Sequence, residues 1–175
     1  NTRLEFQPAS ISFHPVAVQG KNPRVPSLRS PLTVSSMIKC TDCHSSESNS
    51  SVKGPHGSNI PHLLSARYDT AVHVSESSTT YELCYKCHSR NSLLNDESFS
   101  KHKEHIERTS CSTCHDPHGI TSFQGNETNN RHLIHFNTDA VTPGSNGRLE
   151  FVDLGTFRGK CSLRCHQEDH DNESY

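Results

Sequence analysis

The eight cysteines of this chain fall into four short motifs, and no cysteine is left over. Three motifs have the form C-x-x-C-H, at residues 40–44, 84–88 and 111–115. The fourth, at residues 161–166, has one more residue between its cysteines. Two thiols at this spacing can add to the two vinyl groups at one edge of a haem, and the adjoining histidine then reaches the iron. The pattern predicts four covalently attached haems of the c type.

Each motif then supplies two kinds of bond to the haem, covalent attachment through its cysteines and iron ligation through its histidine. The predicted covalent attachment sites are Cys40, Cys43, Cys84, Cys87, Cys111, Cys114, Cys161 and Cys165. The predicted proximal ligands of the haem iron are His44, His88, His115 and His166.

Other uses of paired cysteines explain the pattern less well. Disulfides in a secreted protein also need an even number of cysteines, but they give no reason for a histidine after every second one. A structural zinc site made from two C-x-x-C pairs has no use for the constant histidine or for the widened fourth motif. A thioredoxin-like motif would occur once, next to a βαβ pattern. Haem attachment accounts for all of these features together.

The composition agrees with a protein whose interior is not built from side chains. Only 30% of the 175 residues are hydrophobic, there is no Trp, and the mean hydropathy is −0.75. A bare polypeptide of this kind lies close to the disordered class. We therefore expect a mostly irregular multihaem cytochrome c fold with a few short helices and strands, and a core formed by stacked haems. Helices are expected within 79–88 and 98–108, and strands at 133–136 and 148–152.

Charge and hydropathy restrict the partners. The net charge is −2 with neutral histidines, and the basic residues are scattered, so nucleic acid is not expected as a partner. The apolar stretches are far shorter than the roughly 20 residues that span a bilayer, so no transmembrane segment is expected. The chain starts without Met or an apolar leader, which suits a mature exported protein. Because it also has paired cysteines, we expect an exported protein that is extracellular or at the cell surface, with the periplasm as the alternative.

Ten further histidines can supply the sixth ligand of each iron, whereas Met37 is the only methionine. Two histidine ligands per iron would give haems of low reduction potential, because a histidine ligand gives a lower potential than a methionine ligand. An iron with both axial positions filled has no site for a substrate, so electron transfer is expected rather than catalysis. Five histidines are the candidate distal ligands: His14, His56, His102, His105 and His118.

Local sequence favours these five histidines, but only four positions are open, so at least one of the five is wrong and His170 is the first reserve. His102 and His105 follow Phe99 as F-x-x-H-x-x-H, which resembles the distal-ligand segment of the small tetrahaem class III cytochromes c. His118 in D-P-H-G and His56 in G-P-H-G stand in tight turns that can present the ring to a neighbouring haem. His14 precedes every motif, in a segment that shows no other functional pattern.

Two regions follow from the distribution of the motifs. Residues 1–36 carry five prolines and no motif, and they are predicted to form an extended arm that contacts another subunit. Residues 37–175 are predicted to form the tetrahaem cytochrome domain. A short repeat links the regions, since N-T-R-L-E-F at 1–6 recurs as N-G-R-L-E-F at 146–151.

The order of the motifs resembles that of tetrahaem extracellular cytochrome filaments, also called cytochrome nanowires. The resemblance comprises F-H-P-V at 13–16, G-P-H-G-S-N at 54–59, the F-x-x-H-x-x-H segment, C-x-x-C-H-D-P-H-G and the late C-x-x-x-C-H. It implies identical subunits in a head-to-tail polymer, in which His14 would ligate a haem of the next subunit. An interface of this kind generates an open polymer.

Two functions remain open. The chain is either the repeating subunit of an extracellular conducting filament that delivers electrons to an external acceptor, or a soluble periplasmic monomer that shuttles electrons between redox partner proteins. A multihaem reductase is the weakest alternative, because it needs an open iron, often marked by Lys in place of the motif His.

Overall fold

The structure, a computed structural model, describes residues 1–47, 49–50, 52 and 54–175. These residues form turns and loops that connect short elements, as expected from the composition. The helices are α1 (Thr2–Glu5), α2 (Cys40–Cys43), α3 (Glu82–Tyr85), α4 (Arg90–Leu94) and α5 (His102–Ile106), with 3-10 turns at Pro61–Leu63, Cys111–Thr113 and Arg131–Leu133. The strands are β1 (Ser12–Phe13), β2 (Gly119–Ile120), β3 (Val141–Thr142), β4 (Glu150–Asp153), β5 (Gly159–Cys165) and β6 (Glu168–Ser174). None of the described helices has the length and hydropathy needed to cross a bilayer.

The N-terminal arm lies on the rest of its own chain. Strand β1 pairs antiparallel with β2, with Ser12 opposite Ile120 and Phe13 opposite Gly119. A Cβ atom at position 119 would lie 2.5 Å from the Glu5 carbonyl oxygen, so only glycine permits this close approach. The arm is therefore held against the chain at β2, which begins at the last residue of the D-P-H-G sequence.

A second sheet occupies the C-terminal part, with β5 at its centre. Strands β3 and β4 pair with one side of β5, and β6 pairs with the other, all antiparallel. The β5–β6 turn uses His166 and Gln167, both with positive φ of 50° and 68°. Two-residue hairpins favour this conformation because it matches the strand twist. The fourth cysteine motif thus lies in a strand and the hairpin turn that follows it.

Few hydrophobic side chains are buried for a chain of this length. The buried hydrophobic residues are Ile11, Phe13, Leu64, Ala66, Tyr81, Tyr85, Ile106, Ile120, Val141, Phe151 and Leu163. Among the described residues, the side chains therefore form only a small apolar core.

A buried carboxylate fixes the second cysteine motif. The Glu76 side chain is 6% exposed and accepts hydrogen bonds from Arg90 at 2.8 and 2.6 Å and from the Tyr85 hydroxyl at 2.8 Å. The Arg90 hydrogen bonds hold the pKa of Glu76 below its usual range. Tyr85 stands between the two cysteines of the motif, so this network anchors α3 to α4.

Candidate functional site

The first three cysteine motifs share one local structure, a single helical turn. In each, the motif histidine donates its backbone N–H to the carbonyl of the first cysteine, at 2.7 Å for His44, 2.9 Å for His88 and 2.9 Å for His115. Positions i, i+3 and i+4 of a helical turn lie on one face. Both thiols and the imidazole therefore project to the same side, as attachment to one haem requires.

Each of these turns is held by a second stretch of chain, which we call a clamp segment. The clamp segments are residues 27–29 for the second motif, 62–65 for the first and 132–135 for the third. Each forms an isolated antiparallel bridge with its motif histidine, and these bridges are Leu28 with His88, Leu64 with His44, and Ile134 with His115. The next residue donates its N–H to the carbonyl of the second cysteine, and these bonds are Arg29 to Cys87 at 2.9 Å, Ser65 to Cys43 at 2.8 Å, and His135 to Cys114 at 2.9 Å.

The clamp segments also orient the motif imidazoles. Nδ1 of His44 lies 2.9 Å from the His62 carbonyl oxygen, and Nδ1 of His115 lies 2.9 Å from the His132 carbonyl oxygen. A carbonyl only accepts, so Nδ1 carries the proton and Nε2 has the free lone pair that a metal needs. His62 and His132 both have positive φ, 62° and 59°, within the clamp turns that present these oxygens.

The second motif uses a side chain for the same purpose. Nδ1 of His88 lies 2.9 Å from the Ser27 hydroxyl oxygen, which belongs to the N-terminal arm. Burial lowers the pKa of His88 to about 4, with nearby His14 adding to the shift. Burial also lowers the pKa of His115. Metal binding needs neutral imidazole, so burial keeps these two rings in the form that can bind iron.

Three of the predicted distal histidines lie beside motif histidines. The ring centroids are 6.1 Å apart for His44 and His118, 6.4 Å for His88 and His14, and 6.5 Å for His115 and His102. An imidazole nitrogen bonds a metal at about 2.0 Å and its ring centroid lies about 1.2 Å further, so two imidazoles on opposite faces of one iron have centroids about 6.4 Å apart. The residues at the first three motifs therefore fit a haem iron with two histidine ligands.

The partners of these distal histidines differ in chemistry. Nδ1 of His14 lies 2.6 Å from the Pro117 carbonyl oxygen, Nδ1 of His102 lies 3.4 Å from the Ser98 hydroxyl, and Nδ1 of His118 lies 3.6 Å from a Glu5 carboxylate oxygen. Burial lowers the pKa of His14, and it lowers the pKa of His102 to about 4. Phe99 contacts the rings of both His102 and His105, which explains the aromatic residue in the F-x-x-H-x-x-H segment.

The fourth motif has different surroundings. Its histidine, His166, lies in the hairpin turn, with the ring of His73 at a centroid distance of 5.2 Å. The rings of His105 and His170 lie nearby as a second pair, 6.4 Å apart. Nδ1 of His105 is 2.7 Å from the Lys101 carbonyl oxygen, one turn earlier in the chain. Sequence reasoning did not select His73, because no motif surrounds it.

His56 stands apart from the other predicted distal ligands. Its side chain is exposed, and none of the ring contacts among the described residues involves it. The structure thus brings four of the five candidates next to another histidine and leaves His56 at the surface.

Each motif lies next to the motif that follows it in the chain. Lys86 of the second motif donates to the Asp42 carbonyl of the first motif at 2.6 Å. A hydrogen bond between the Cys84 and Cys111 thiols, together with burial, raises the pKa of Cys84 well above its usual range. Burial raises the pKa of Cys114 to about 12, and the Cys161 and Cys165 thiols of the fourth motif add to the shift. None of the eight cysteines forms a disulfide.

A comparison with protein families agrees with this geometry. The family model described as a doubled CXXCH motif matches residues 33–93, about a third of the chain, and includes the first two motifs. This match indicates a multihaem c-type cytochrome. Searches of curated proteins and of solved structures found no match to the chain. The matched region also contains the clamp segment of the first motif, which lies between the two C-x-x-C-H turns.

Proposed function

We propose that this cytochrome carries four haem c groups and transfers electrons, with each iron held between two histidines. The observation that carries the proposal is the set of three histidine pairs whose ring centroids lie 6.1, 6.4 and 6.5 Å apart. Each pair joins a motif histidine to a histidine outside that motif. The haem itself supplies one-electron chemistry at its iron. The chain would bind it through the thiols and would orient both imidazoles, and with both bound no position would remain for a substrate.

Three of the proposed ligand pairs follow the ring contacts, and they are His44 with His118, His88 with His14, and His115 with His102. For the fourth haem we propose His166 with His105, although the described ring contacts join His166 to His73 and His105 to His170. His105 is chosen for the fourth haem because its Nδ1 is already bonded to a carbonyl, which leaves Nε2 for the metal. His73 is too near His166, at 5.2 Å, to stand on the opposite face of an iron.

The packing of the motifs supports a conductor. Contacts between consecutive motifs would bring the four haems close to one another, and haem edges would then add the apolar interior that the side chains lack. Histidine at both axial positions lowers the haem potential relative to His with Met. Electrons would pass along such a row with little change in the polypeptide.

The haem content is tested on the native, purified protein. We expect an intact mass equal to the polypeptide plus four haems, retained after denaturation because the thioether bonds are covalent. The reduced protein should show sharp low-spin absorption bands and should not bind carbon monoxide. A mass equal to the bare polypeptide, or a reduced spectrum without low-spin bands, would contradict the proposal.

The choice of His105 for the fourth haem is tested by two parallel variants. His105→Ala should retain four haems but convert one of them to a high-spin form that binds carbon monoxide. His73→Ala is the matched control and should leave all four haems low-spin. A high-spin haem in His73→Ala together with a normal spectrum in His105→Ala would show that His73 is the ligand.

We further propose that the chain is the repeating subunit of an extracellular or cell-surface conducting filament, with identical subunits joined head to tail. The resemblance to cytochrome nanowires supports this role, and residues 1–36 would exchange from their own chain onto the next one. The alternative is a monomeric periplasmic shuttle between redox partners. The pairing of β1 with β2 and the position of His14 beside His88 of the same chain favour that alternative.

A further inference from the structure

One proposed axial ligand has a carboxylate behind it. Glu5, the last residue of α1, is 14% exposed, and its Oε2 atom lies 3.6 Å from Nδ1 of His118. The next residue, Phe6, packs edge-on against the same imidazole at a centroid distance of 5.6 Å. The close approach of Gly119 to the Glu5 backbone fixes the end of α1 beside His118. The carboxylate is therefore held at this ring by the fold of the arm.

The other proposed ligands with a recorded Nδ1 partner face neutral groups. The partner is a backbone carbonyl for His14, His44, His105 and His115, and a serine hydroxyl for His88 and His102. The pair of His44 and His118 thus combines one carbonyl-backed and one carboxylate-backed imidazole. Among the ligand pairs proposed above, the haem of the first motif is singled out by this charge.

We propose that Glu5 is a positioning residue that lowers the midpoint potential of the haem bound by the first motif, acting through His118. The 3.6 Å contact is slightly longer than a hydrogen bond, and a carboxylate at this distance polarises the Nδ1–H bond and makes the imidazole a stronger donor. A stronger donor stabilises ferric over ferrous iron, and second-shell hydrogen bonding is one of the levers that set haem potential. This inference rests on the proposed ligation of that haem by His44 and His118.

The test compares two variants that remove the same charge. Asp116 lies in the same cluster, since ligand atoms of Glu5, Asp116 and His118 are all within 4.8 Å of one another. Asp116, however, accepts the backbone N–H groups of His118 and Gly119 at 2.8 and 3.1 Å, a role that asparagine can keep. Glu5→Gln therefore removes the carboxylate at Nδ1, and Asp116→Asn removes a nearby carboxylate that serves the backbone.

In potentiometric titration of the four-haem protein, Glu5→Gln should raise one of the four midpoints and leave the others in place. Second-shell changes typically alter metal affinity 10- to 100-fold, and a tenfold change in ferric preference corresponds to about 59 mV for one electron. The low-spin ferric EPR signal of that haem should shift as well. Asp116→Asn should give a clearly smaller shift in potential and an unchanged EPR signal.

A second background shows whether Glu5 acts through His118. His118→Met has no Nδ1, so adding Glu5→Gln to it should change the midpoint far less than in the wild type. Unchanged midpoints in Glu5→Gln, equal shifts in the two carboxylate variants, or a shift that disappears after chelation of a bound metal ion would each overturn the inference. A wild-type protein without low-spin haems would instead overturn the proposed function.

Discussion

Deletion of residues 1–36 is expected to damage the second haem site within the same molecule. The deletion removes the clamp segment formed by residues 27–29, the Ser27 hydroxyl at Nδ1 of His88, and His14 on the opposite side of the proposed iron. It also removes β1 from β2 and leaves the backbone of Ile120 without its partners. We expect a lower thermal midpoint and at least one haem that is lost or high-spin, measured by intact mass and by carbon monoxide difference spectra.

The matched control changes the arm without removing its contacts. Arg24→Ala alters an exposed arm residue and should leave mass, spectrum and thermal midpoint unchanged. An arm that serves only a neighbouring subunit would be dispensable for the monomer. A truncated protein with four low-spin haems and the wild-type thermal midpoint would therefore contradict the structural role of the clamp segment.

His14→Ala is expected to keep four covalent haems and to remove one of the two histidine ligands of the iron at the second motif. The reason is that the His14 ring lies 6.4 Å from His88, while thioether attachment does not involve His14. Carbon monoxide should bind one haem of the dilute variant, and the wild-type monomer should bind none. His56→Ala is the control, because His56 is exposed and outside the described ring contacts.

The same variant separates the two functional proposals. If His14 serves a neighbouring subunit, the dilute wild-type monomer should already bind carbon monoxide, and His14→Ala should form no filaments under negative-stain microscopy. If His14 serves its own chain, only the variant should bind carbon monoxide. Normal filaments of the variant would rule out the cross-subunit role of His14.

The local geometry of the first three motifs could be predicted from the sequence because it depends on residues only a few positions apart. A thiol at i, a thiol at i+3 and a histidine at i+4 share one helical face wherever the turn forms. The clamp segments could not be read in this way, because their hydrogen bonds use main-chain atoms of distant residues. The weak signal was the similarity of P-H-L-L-S at 61–65 and R-H-L-I-H at 131–135 at nearly the same distance after their motifs.

Secondary structure was predicted with mixed success. The strand expected at 148–152 is confirmed in part by β4, and the helices expected within 79–88 and 98–108 shrink to α3 and α5. The strand expected at 133–136 is wrong, because His132 and Leu133 adopt positive φ in a clamp turn. The repeated R-L-E-F sequence forms a helix after Asn1 and leads into β4 near the C-terminus, where pairing with β5 decides its conformation.

The contact between the Cys84 and Cys111 thiols restricts the order of events during maturation. These two sulfur atoms belong to different motifs and are close enough to share a hydrogen bond. In an oxidising compartment, neighbouring thiols can be converted to a disulfide, and this one would block the proposed attachment at two motifs at once. If haems are attached as proposed, these two thiols would have to stay reduced until attachment is complete.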